Sequence, residues 1–179
     1  MIPTRIVYPL ITLILGCCIV FAAEEAKDES KQESKNEKAE AFEKMKKLIG
    51  SWTGTVKEGE KQLPTNARFQ SVADGSVLAG WLEEGTSNEM VTMFHMDGDT
   101  LMATHYCAAH NQPRMVLVMD GERNRLVFVF KDGTNIKPEV GHMHQVTFIL
   151  DGPNHHIEEW TYLKNDKKET TRFDFKRKN

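Results

Sequence analysis

Five Asp-Gly pairs punctuate the chain after Gly50, at Asp74-Gly75, Asp97-Gly98, Asp120-Gly121, Asp132-Gly133 and Asp151-Gly152. Asp-Gly suits tight turns whose central residues need positive φ, so each pair reads as the hinge between two strands. Around them lie runs of strand length rich in β-branched, aromatic and methionine residues: "MVTMFHM", "LMATHYC", "RMVLVM", "RLVFVF", "HQVTFIL" and "IEEWTYL". "SWTGTVKE", "NARFQSV", "SVLAGWLEE" and "ETTRFDF" bring the number to about ten, with no helix-length periodic segment between them. Consecutive strands joined by short turns make an antiparallel meander. A sheet of that many strands curls or closes, which removes its edges. The expected fold class is therefore all-β, an antiparallel up-and-down β-barrel of about ten strands with a short N-terminal helix.

The helix comes from "AFEKMKKLIG", where Phe42, Met45, Leu48 and Ile49 recur at helical spacing and Gly50 can stop the turn. Before it, residues 24–40 carry no large apolar side chain. Such a stretch cannot offset its ordering entropy by burial and reads as a charged, disordered tether or a frayed helix. Residues 1–23 read as a signal peptide, with Arg5 ahead of an apolar run and the small residues Ala22 and Ala23 before the charged stretch. "ILGC" ending at Cys17 also resembles a lipobox, so a lipid anchor is the alternative to a soluble secreted or periplasmic form. The barrel domain is then expected over 41–179.

Charge and cysteine content narrow the function classes. The formal charge is −3, becoming −4 when Arg5 leaves with the signal, and no basic stripe with interleaved aromatics is present, so nucleic acid is not an expected partner. Beyond Cys17 and Cys18 only Cys107 remains, and no disulfide can form within the mature chain. A cysteine two residues from His105 resembles half of a nucleophilic pair, but no third group orients it, and a small buried hydrophobe is the better reading.

Gly50-Ser51-Trp52, placed directly after the helix and opening the first strand, resembles the G-x-W signature of the calycins. That superfamily includes lipocalins, fatty-acid-binding proteins and nitrobindin-like haem barrels. The longer segments "THYCAAHNQPRM" and "HMH" are similar to those of a family of secreted, lipocalin-like bacterial proteins. The resemblance implies a barrel with an interior ligand, and an arginine near the chain end packed across Trp52 to close the base. Arg172 in "TTRFDF" is the matching candidate. The usual lipocalin disulfides and the middle lipocalin motif are absent.

Strand parity then nominates ligand-binding residues. His142, His144, Val146, Phe148 and Leu150 form the more apolar alternate set of their strand, so both histidines are expected inward, near one mouth. The alternate sets of "LMATHYC" are nearly balanced, and His105 is taken as inward. Asn111, Gln112 and Arg114 flank Pro113 in an expected turn at the mouth, where Arg114 could meet a ligand carboxylate. Trp160 follows Glu158 and Glu159 on a late strand. His155 and His156 follow the turn "DGPN" and are expected in solvent.

Two chemistries remain open for the histidines. His105, His142 and His144, or Glu159 in place of His105, could hold a metal with an open position able to activate water. A nitrobindin-like barrel would instead hold haem through an axial histidine, His142 or His144. The expected function is an exported binding protein holding a small apolar or amphipathic ligand, with His105, Arg114, His142, His144 and Trp160 in the pocket. A metal- or haem-dependent enzyme and a structural envelope protein with a filled barrel are the alternatives.

Overall fold

The structure is a computed structural model that describes residues 32, 35–58 and 60–178. The signal segment, Cys17 and most of the tether lie outside the described residues. A helix, α1, occupies residues 35–46. It therefore starts inside the stretch read as a tether, because the charged residues 35–40 continue the helical turn that Ala41, Phe42 and Met45 anchor by burial. The chain divides into two units at residue 36, and the barrel unit, Glu37–Asn179, carries every side chain discussed below.

Ten strands follow: β1 (Gly50–Glu58), β2 (Lys61–Val72), β3 (Val77–Leu82), β4 (Met90–Asp97), β5 (Thr100–Tyr106), β6 (Gln112–Val118), β7 (Arg125–Thr134), β8 (His142–Leu150), β9 (His155–Lys164) and β10 (Lys167–Arg177). Each pairs antiparallel with its sequence neighbour, and β1 pairs with β10, which closes the barrel. The all-β, ten-stranded expectation is met strand for strand. Four of the five Asp-Gly pairs sit at turns, with Gly75, Gly98, Gly121 and Gly152 at positive φ. Asp132-Gly133 does not. It lies within β7, where Gly133 pairs with Pro113 and a Cβ would meet the Gln112 carbonyl oxygen at 2.8 Å. The β9–β10 turn is made instead by Asn165 and Asp166, both left-handed as a two-residue hairpin loop requires.

Alternate residues of each strand fill the barrel. Leu78, Phe94, Leu101, Ala103, Met115, Phe128, Val146, Phe148 and Phe175 are buried in one cluster with Ala41, Phe42, Met45 and Leu48 of the helical segment. Each large side chain so buried stabilises the fold by roughly 1.5–3 kcal/mol relative to exposure.

Trp52 is covered by an arginine, though a different one from the one expected. Trp52 is 1 % exposed, and its Nε1 donates to the Leu48 carbonyl at 2.7 Å. The cation across its ring is Arg177, 4.2 Å from the ring centroid, and Trp52 and Arg177 are register partners. The guanidinium also donates to the carbonyls of Lys47, Ile49 and Pro153 at 2.8, 2.8 and 2.9 Å, tying the end of the helical segment to the β8–β9 turn. Gly50, at φ 130°, leaves room for it, since a Cβ there would lie 2.7 Å from Arg177 Nη1. Arg172 is on the outer face, paired with Glu159. Phe173 and Phe175 are buried, and pleat alternation puts Arg177 on their side and Arg172 opposite.

Candidate functional site in the barrel interior

The interior holds a line of polar and aromatic side chains contributed by β1, β4, β5 and β9. His156, Glu158 and Trp160 alternate along β9, so they share its inward face, and all three are buried. Glu158 joins the other two: Trp160 Nε1 donates to one carboxylate oxygen at 2.8 Å, and His156 Nε2 lies 3.0 Å from the other. His156 meets the Trp52 ring edge-on at 4.3 Å and stacks on Phe175 at 5.0 Å. The expectation that His156 faces solvent is wrong, because the strand begins at His155 and its second residue already turns inward.

Toward the other end of the line, His105 is fully buried. Its Nδ1 is 2.8 Å from Thr92 Oγ1, across the β4–β5 register, and its ring lies 4.7 Å from that of Trp160. Burial pushes its imidazolium down to about 3, so the ring is neutral at any ordinary pH. Its Nε2 has no protein partner. A cavity lies against Thr92 and Trp160, lined also by Phe69, Gly80, Trp81, Leu82, Phe94, Phe148 and Glu158, with room of about 10 Å³ for a water-sized sphere. Gly80 belongs to its wall because a Cβ there would meet the Phe69 ring at 2.7 Å.

The other nominated residues do not join this group. Arg114 points outward, half exposed, and pairs with Asp132 at 2.5 Å, so it cannot anchor a ligand inside the barrel. Regular alternation along β6 puts it opposite the core-facing Met115. The expected turn around Pro113 is instead the start of β6, and the turn itself precedes it, with His110 at positive φ and Cys107 half-buried against the core.

His142 and His144 flank a second bulge, between Met143 and Gln145. Val146 and Phe148 face the core as parity expects, but alternation does not carry through the bulge: Met143 packs against the core, and His142 is buried as well. The two histidines cluster with Phe130, at 4.3 and 5.9 Å between ring centroids, and lie 5.7 Å from each other.

Neither cofactor expectation gains support from this geometry. Among the described residues no group of three His, Cys, Asp or Glu side chains is placed to hold a metal ion, so His105, His142 and His144 do not converge, with or without Glu159. The space beside His105 and Trp160 does not fit a macrocycle, and no step is derived through haem.

No family model and no curated protein matches the chain. Among solved structures it is similar to the crystal structure of Rv2717c from M. tuberculosis, with a TM-score of 0.54 and 11 % identity over 78 % of this chain and 98 % of that one. At that identity the likeness concerns the fold alone, and it fits a closed β-barrel.

Proposed function

We propose that this is an exported binding protein that holds a small apolar or amphipathic molecule inside its barrel, beside Thr92, Glu158 and Trp160, with His105 behind Thr92 and Trp160. One observation carries the reading: His105 keeps a buried ring nitrogen without a protein partner, and its two neighbours, Thr92 and Trp160, line a cavity whose other walls are largely aromatic. A buried polar atom left unpaired costs about 1–3 kcal/mol, which a ligand hydroxyl or carbonyl reaching it past Thr92 and Trp160 would recover. Export rests on Arg5, the apolar run after it and the small residues at Ala22 and Ala23. The chain offers Cys17 as the attachment point of the lipid-anchored alternative.

The cavity's room of about 10 Å³ corresponds to roughly one water. A ligand is therefore very small, or Trp160 and Phe148 swing aside to admit it. The same figure favours a second reading, a structural envelope protein with a filled barrel. Titrating the full chain with the neutral dye Nile red separates them. The binding reading expects saturation at one dye per barrel with quenching of tryptophan emission; the filled barrel expects neither.

A further inference from the structure

His142, His144 and Phe130 form a cluster that the interior site does not use, and none of the three lines its cavity. His142 is 8 % exposed, yet neither of its ring nitrogens has a protein partner, and His144 Nδ1 is buried without one as well. In native interiors most buried side-chain polar atoms are paired, so three unpartnered nitrogens on adjacent rings are a feature to explain. We infer that this cluster is a binding site for a small organic anion, its carboxylate accepting an N–H from each imidazole and its apolar part lying against Phe130. His142 and His144 lie two residues apart at the start of β8, and their rings sit 5.7 Å from each other beside the bulge.

The surrounding charges select the sign of the ligand. The charge that acts on the pair from outside it is cationic: Lys168 of β10 acts on His144. From β7, Asp132 is tied to Arg114 of β6, and Lys131 is exposed. From β9, Tyr162 spends its hydroxyl on the Val140 carbonyl, its own ionisation pushed up by burial and by Cys107, and Lys164 is exposed. A metal cation would face a lysine with only two ligands from the protein. An anion finds two N–H donors and a nearby ammonium, and each neutral imidazole supplies its donor by choice of tautomer.

Burial holds both histidines below the ordinary imidazole value, with their cationic neighbours adding to the effect. A bound anion opposes that shift, so binding is coupled to proton uptake and strengthens as the pH falls. The experiment is calorimetric titration of the full chain with benzoate, benzamide, benzylamine and zinc chloride at about pH 5.5 and about pH 8, either side of the ordinary histidine value. Benzoate is expected to bind at least about tenfold more tightly than its neutral isostere benzamide, and several-fold more tightly at the lower pH. His142→Gln with His144→Gln should abolish binding and Lys168→Met should weaken it, at unchanged near-ultraviolet circular dichroism. In the unaltered chain, benzoate should move the His142 and His144 imidazole proton resonances, a readout independent of whether the variants fold. Benzamide or benzylamine equalling benzoate, zinc occupying the two histidines while benzoate leaves them unmoved, or no benzoate binding up to about 10 mM would each overturn the inference.

Discussion

Replacing Arg177 by alanine removes a cation from the face of Trp52 and frees three backbone carbonyls. Because the charge-assisted hydrogen bonds and the cation–π attraction disappear together, the expected cost in chemical denaturation is about 2–4 kcal/mol. Arg172→Ala breaks only an exposed ion pair and is expected to cost under about 1 kcal/mol. That contrast is legible in "TTRFDFKR", since Phe173 and Phe175 fix the inward parity and Arg177 continues it. Nearness to the chain end, the criterion taken from the resemblance, fits Arg172 and Arg177 alike and does not choose between them. Glu158 is legible in the same way from Trp160 two residues on. Glu158→Leu should cost about 3–5 kcal/mol, because it strands Trp160 Nε1 and His156 Nε2 in the core, whereas Glu158→Gln keeps the oxygen and should cost less. His105 adds a pH dependence. Its folded-state value lies below the unfolded one, so only the unfolded chain takes up a proton as the pH drops from about 6.5 toward about 3, and stability falls through that window. His105→Gln, followed by denaturant midpoint against pH, should flatten that fall.

At the scale of elements, turns and bulges decide what parity can and cannot reach. Ten strands are readable because β-branched runs alternate and Asp-Gly pairs separate several of them. Asp132-Gly133 misleads because a glycine also serves where two strands approach closely, here against Gln112 and Pro113. The bulge at Met143–Gln145 leaves no mark in the sequence, yet it interrupts the alternation from which the facing of His142 and His144 is read. The β8–β9 turn carries a pH-dependent tie of opposite sign to that of His105. His155 sits 2.8 Å from Asp151 and 3.0 Å from Asp174, hydrogen bonds to which raise its ionisation above the ordinary value. Its contribution to stability is complete below the unfolded value and is lost as the pH rises through the folded one. In thermal melts the unaltered chain should lose stability over that rise, and His155→Gln should remove the change; an identical pH profile for both chains would contradict the tie.

For the whole molecule, the closed barrel follows from the chain's periodicity and its tryptophan base from G-x-W, and both are visible in the sequence. The occupant is not, because interior volume depends on how side chains of ten strands interlock, a property no single strand encodes. The central claim is that the interior beside His105 and Trp160 receives a small molecule. Native mass spectrometry of the full chain, purified without refolding, tests this most directly. A population carrying one non-covalent organic adduct per chain is expected, diminished when Thr92→Leu fills the cavity wall and restored in Thr92→Ser. A spectrum holding only the bare chain mass, unchanged on adding Nile red, would contradict it and leave a filled barrel in its place.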